Sequence, residues 1–151
     1  MIYLIRHAHA GARAAWPGPD SDRPLSARGN REAGAIPGLL AGRPVTRILC
    51  SPRRRCLETV APLAAARGLA VEAEPSLDED AVPGDARLWI EPPRPGLVLC
   101  SHANVIGDLL AGLVEAGVAL PGGRTAGRGS IWELSVEGAR IVSGRYLPPP
   151  E

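Results

Sequence analysis

The 151-residue chain has 17 basic residues against 16 acidic ones, and its net charge of +1 offers nothing to a nucleic acid or an acidic membrane. Every basic residue is an arginine; without lysine, a Walker-type phosphate loop, Schiff-base catalysis and pyridoxal-phosphate chemistry are excluded. At 45% hydrophobic and 22% charged residues, the composition suits one globular domain with its own core, expected over residues 1–147.

The chain begins with an apolar run, "IYLI" (2–5), that reads as a buried strand. Arg6 ends it far short of a signal-peptide core, and no stretch approaches membrane-span length, so a cytoplasmic location is expected. Residues 26–42 read as a helix capped by Ser26, with Pro37 expected to kink or break it. "RILC" (47–50) reads as a second strand, followed by a helix over 52–67 with Ser51 as cap and Pro52 in the first turn. A strand is expected at 70–74, another at 96–100, then a helix at 103–117 with Val105, Leu109 and Leu113 on one stripe. "SIWELSV" (130–136) and "RIVSGRYL" (140–147) flank a turn and predict an edge hairpin. Glycine- and proline-rich loops are expected at 11–24, 92–96 and 121–129, and a disordered tail at 148–151. Strands alternating with helices argue for an α/β three-layer sandwich, a mostly parallel central sheet with helices on both faces. The three cysteines, Cys50, Cys56 and Cys100, form no CxxC pair, and Cys50 and Cys100 read as small apolar residues at strand ends.

Three strands end in chemically useful residues: "LIRH", "ILCSPRRR" and "LVLCSH". Ligands of open α/β sheets sit outside the carboxyl ends of the strands, so Arg6, His7, the arginines 53–55 and His102 should share one edge. Cations brought together need an anion, and phosphate fits the bidentate arginine fork and the free N–H groups of nearby helix N-termini. A neutral imidazole is a competent nucleophile at phosphorus, and flanking arginines would keep His7 unprotonated and stabilise the transition state. Successive helical side chains lie about 100° apart, so at most one of Arg53, Arg54 and Arg55 should point well into the pocket.

These residues resemble the histidine phosphatase superfamily, the relatives of the cofactor-dependent phosphoglycerate mutases. "LIRHAHA" is similar to its Arg-His signature, "SDRPLSARG" (21–29) to the Asp and Pro-Leu segment after it, "SPRRRCLET" (51–59) to its Ser-Pro–x–x–Arg run, and "LVLCSHANVI" (97–106) to the strand before its second histidine. The resemblance implies a phosphoglycerate mutase-like fold and a phosphohistidine enzyme intermediate on His7, with Arg6, Arg55 and His102 binding the phosphoryl group and the Ala103 N–H beside them. It leaves Arg53 and Arg54 as a solvated face, and it nominates Glu79 as general acid, with Asp78 and Asp80 as substitutes. No metal and no organic cofactor is implied. Ala8 and Ala103 stand where the family commonly has glycine. The segments 8–25 and 78–96 are too short for a substantial lid, which resembles the phosphohistidine phosphatases of the SixA type, acting on a signalling or phosphocarrier protein. Three other readings stand beside it: a phosphatase of a small metabolite, a zinc hydrolase using His7, His9, His102 and a carboxylate, and an inactive phosphate- or phosphoprotein-binding module. In the first reading His9 is a pocket-rim or surface residue.

Overall fold

The computed structural model describes residues 1–150. Six strands, β1 (Ile2–Arg6), β2 (Arg47–Cys50), β3 (Val71–Ala73), β4 (Leu97–Ser101), β5 (Ile131–Glu137) and β6 (Arg140–Leu147), form one sheet in the order β3-β2-β4-β1-β5-β6. The first four run parallel, and β5 and β6 close the sheet antiparallel. Three helices, α1 (Ala27–Leu39), α2 (Arg54–Arg67) and α3 (Ala103–Glu115), complete an α/β three-layer architecture. No helix is long and apolar enough to cross a membrane.

Alternation along the strands builds two cores. Ile2, Leu4, Leu49, Leu97 and Leu99 face α3 through Ile106, Leu109 and Leu110. Tyr3, Ile5, Ile48, Cys50, Val98 and Cys100 face α1 and α2 through Ile36, Leu40, Val60 and Leu63. All three cysteines are buried and free, as the apolar reading of Cys50 and Cys100 expects. Full burial of each large aliphatic chain is worth about 1.5–3 kcal/mol, so the strand ends that carry the polar residues rest on a rigid base.

Two helix expectations need correction. Pro37 lies inside α1, which continues through it for two residues and ends at Leu39, short of the expected 42. Ser26 caps α1 as expected, its Oγ accepting from Gly29 N at 3.0 Å. Ser51, however, does not cap α2: that helix begins at Arg54, with Arg53 as N-cap and no side-chain capping bond. At the C-terminus Pro149 lies against Gly127, and Pro150 lies beside Arg28, Arg31 and Glu32; Glu151 falls outside the described residues.

Candidate active site

The peptide ladder continues past three strand ends and brings the polar residues together. His7 N donates to Ser101 O at 3.0 Å, and Ser51 N donates to Cys100 O at 2.9 Å. Thr59, one helical turn beyond Arg55, accepts from Ala8 N at 3.0 Å and donates to Arg55 O at 2.6 Å. The spacing of Arg55 and Thr59 in "RRRCLET" thus ties α2 to the end of β1. Gly129, at φ +79°, donates its N–H to both Arg6 O and His7 O at 3.1 Å, so the 121–129 loop wraps the other side of the same peptide. That positive φ suits glycine and strains any other residue.

His7 is 7% exposed, and its Nδ1 lies 2.8 Å from Ala8 O. A carbonyl only accepts, so Nδ1 carries the hydrogen and Nε2 keeps a bare lone pair. Burial lowers the pKa of His7 to about 4. His102 and Arg55 also lower it, but more weakly, so the neutral state owes more to burial than to the arginines that the sequence suggested. The His102 ring lies 5.3 Å away, centroid to centroid, at 63°. His102 Nε2 meets Ser51 Oγ at 2.8 Å, while its Nδ1 is buried without a partner.

Arg6 donates from one terminal nitrogen to Ala126 O at 2.7 Å, and its Nε is buried and unpartnered. Burial lowers its pKa, and the neighbouring Arg128 lowers it further. Arg55 is 1% exposed and donates to Asp20 O at 3.0 Å and to Glu79 Oε2 at 3.1 Å, with its own Nε also unpartnered. Ala103 opens α3, whose first-turn N–H groups have no helical acceptors. Asn104 Nδ2 donates to Glu79 O at 2.8 Å, holding the acidic loop against this helix.

Arg53 departs from its expected solvated face. It donates to Asp78 at 3.1 Å, Asp20 at 3.1 Å and Asp80 at 2.8 Å. Two of the three arginines therefore turn inward. The 100° argument fails because Arg53 precedes the helix, in extended backbone at φ −67°, ψ 136°. Arg54 does lie on an exposed face, paired with Glu58. His9 braces α1: its Nδ1 meets Ser26 Oγ at 2.7 Å and its N–H donates to Glu32 at 2.9 Å. A Cβ on Gly29 would come within 1.9 Å of His9 O, so this close approach requires glycine. His9 therefore does not converge with His7 and His102, and no group of three or more potential ligands is placed to hold a metal among the described residues.

Sequence reasoning missed Asp20. Its carboxylate accepts from Arg13 at 3.1 Å, Arg23 at 3.0 Å and Arg53 at 3.1 Å, and lies 3.2 Å from Arg55. Burial alone would raise its pKa, but the Arg23 hydrogen bond and the charges of Arg55 and Arg13 lower it overall. A shallow cavity of about 330 Å³ opens beside it, lined by Asp20, Ser21, Pro52, Arg53 and Asp78. The signal available in the sequence was the count of arginines at this edge, which needed more carboxylates than residues 78–80 supply.

The profile of the Histidine phosphatase superfamily (branch 1) matches residues 2–83. A protein of Mycolicibacterium smegmatis named 8-oxo-(d)GTP phosphatase is 33% identical over 99% of this chain and 48% of its own length. An uncharacterized protein of Mycobacterium tuberculosis is 46% identical over 38% of this chain and 28% of its own. The chain thus spans half or less of these curated relatives. Among solved structures, the protein histidine phosphatase SixA complexed with tungstate superposes with a TM-score of 0.71 at 24% identity, over 97% of this chain and 93% of that one. A mycobacterial glucosyl-3-phosphoglycerate phosphatase gives 0.63 at 19%, over 96% and 95%. These two likenesses bear on the fold alone, which is the phosphoglycerate mutase-like α/β fold that the strand-end motifs imply. The matched segment includes Arg6, His7 and Arg55, and with it the chain belongs to the histidine phosphatase superfamily.

Proposed function

We propose that the chain is a metal-independent phosphatase that passes a phosphoryl group first to His7 Nε2 and then to water. One observation carries the reading: buried polar atoms without partners occur on Arg6, which precedes the neutral His7, on Arg55, whose charge acts on it, and on His102, whose ring lies 5.3 Å from it. Buried unsatisfied donors each cost about 1–3 kcal/mol, which a bound phosphoryl group would offset by accepting from them. The Nε2–P bond forms as the bond to the leaving group breaks, and the leaving group departs with its electron pair and takes up a proton. Water then attacks phosphorus, and His7 leaves as neutral imidazole. Arg6, Arg55, His102 and the N–H of Ala103 neutralise the charge on the phosphoryl oxygens. In this reading Glu79, which accepts from Arg55 and Arg13, assists the departure of the leaving group.

The preferred substrate in this reading is a phosphohistidine on a signalling or phosphocarrier protein in the cytoplasm. Its support is the open mouth: 8–25 and 78–96 contain only short 3-10 turns, too little chain to cover a substrate. A second reading, a nucleotide substrate, is favoured by the 33%-identical relative named for 8-oxo-(d)GTP and by Arg128. Arg128 is exposed beside Arg6 and has no hydrogen-bond or ion-pair partner among the described residues, so it is free to meet a further phosphate.

The test is phosphate release with chelator present from three substrates side by side: a histidine-phosphorylated carrier protein, p-nitrophenyl phosphate and 8-oxo-dGTP. Fast release from the phosphoprotein supports the first reading; release from 8-oxo-dGTP alone supports the second. No release that His7→Ala would abolish, with phosphate still bound, would leave a binding module instead.

A further inference from the structure

We propose that Ser51 is a positioning residue that fixes the hydrogen of His102 on Nδ1. The two pocket histidines then offer a phosphoryl group opposite chemistry, a bare nitrogen from His7 and an N–H from His102. What that N–H does rests on the phosphatase reading above; where it sits does not.

The assignment follows from accounting for one buried hydroxyl. Ser51 is fully buried, and its Oγ has two neighbours, the Arg53 N–H at 3.4 Å, which can only donate, and His102 Nε2 at 2.8 Å. Were Nε2 to carry a hydrogen and donate it, the hydroxyl's own hydrogen would have no acceptor in a place closed to water. Donation from Oγ–H to Nε2 satisfies both groups and leaves the ring hydrogen on Nδ1. That nitrogen is the one buried without a partner, on a ring 5.3 Å from His7. A second observation agrees. Ser51 lies where a capping residue for α2 is expected, yet α2 starts at Arg54 with no side-chain cap, so the Ser51 hydroxyl serves His102 rather than the helix. The same arrangement explains the matched geometry of the two rings. His7 gives its Nδ1–H to Ala8 O and keeps Nε2 bare, while His102 receives at Nε2 and keeps Nδ1–H for a ligand. A weaker contact, from Cys56 Sγ at 3.6 Å, reaches the same His102 nitrogen and is the rival determinant of the ring's state.

Long-range proton–nitrogen NMR of protein labelled in its three histidines reads each tautomer directly. At pH 8 the expected His102 spectrum has hydrogen on Nδ1 and a bare Nε2. Ser51→Ala should move hydrogen toward Nε2 and weaken orthophosphate binding about tenfold. Ser51→Thr should restore both, and Cys56→Ala should leave the tautomer unchanged. A wild-type His102 with its hydrogen on Nε2 overturns the proposal without any variant having to fold. So does an unchanged tautomer in Ser51→Ala, or a tautomer that collapses in Cys56→Ala. If the tautomer is as stated but no phosphorylated substrate is turned over, the positioning stands and the phosphatase reading fails.

Discussion

Arginines stand in two groups around the strand ends, in opposite states. On the α2 side Arg13, Arg23, Arg53 and Arg55 are interleaved with Asp20, Asp78, Glu79 and Asp80, each guanidinium meeting at least one carboxylate. On the side of β1 and the 121–129 loop, Arg6 has one carbonyl partner and a stranded Nε, and Arg128 stands exposed beside it. The first cluster is an electrostatic scaffold whose charges are balanced at rest. The second holds one buried donor without a partner, Arg6 Nε, which under the proposed function an anion would satisfy. Residue type therefore says less than partnership does: Arg53 is saturated with carboxylates, while Arg6 meets none and keeps a buried Nε without a partner. Arg55 spans the two states, held by Asp20 and Glu79 through its terminal nitrogens while its Nε remains free.

The sharpest way to break this comparison is to remove one arginine from each side. Arg6→Ala should lower kcat/KM about a thousandfold with little change in Tm, because it gives up one hydrogen bond, to Ala126 O, while removing a buried donor that has no partner. Arg53→Ala should lower activity less than tenfold yet destabilise the fold by about 1 kcal/mol, since Asp78 loses its arginine while Asp20 keeps Arg13, Arg23 and Arg55 and Asp80 is exposed. The reverse pattern in steady-state kinetics and thermal melts would dissolve the distinction.

Replacing Glu79 sharpens the role of the scaffold. Glu79→Gln should slow alkyl phosphates about a hundredfold, while phosphohistidine changes less than threefold, because an imidazole leaving group can be protonated beforehand. Equal losses on both substrates would make Glu79 a holder of Arg55 alone.

Titration of His7 is the next effect in size. In the folded protein it stays neutral down to about pH 4, whereas in the unfolded chain it takes up a proton near 6.5. The unfolded state thus binds more protons between those values, and stability falls as pH drops through that window, by up to about 3 kcal/mol. Denaturant titrations at pH 7 and 4.5 should show a larger drop for wild type than for His7→Gln. With a low-pKa leaving group, the acid limb of kcat/KM, which reports the free enzyme, should lie near 4 rather than near 6.5. The smallest effect belongs to Arg128→Ala, which should raise KM for a nucleoside triphosphate about fivefold and leave p-nitrophenyl phosphate unchanged. Equal KM values for wild type and variant would remove the basis for the nucleotide reading.

Much of this was legible because strand ends announce themselves. "LIRH", "ILCS" and "LVLCSH" each pair an apolar run with a polar stop, and parallel strands bring such stops to one edge. The α1 cap at Ser26 and the β5–β6 hairpin followed from local signals of the same kind. What escaped were relations between distant segments. Asp20 lies in a proline- and glycine-rich loop with no periodicity, and only the folded loop shows it meeting Arg53 and Arg55. Arg53 escaped because helical spacing was applied one residue too early, at a position where the chain is still extended. Ser51 read as a cap because Ser-Pro so often begins a helix, and nothing local says that its hydroxyl turns to a histidine 51 residues away.

The central claim is a covalent phosphoryl group on His7 Nε2, the nitrogen left bare by the Ala8 carbonyl. Rapid acid-free quenching of a single turnover, followed by phosphorus NMR and peptide mass spectrometry, tests it most directly. The account predicts an acid-labile adduct on the His7 peptide with phosphorus on Nε2, absent in His7→Ala. An adduct on Nδ1, an adduct on another residue, or turnover with no adduct under conditions that trap one in a related enzyme would contradict it.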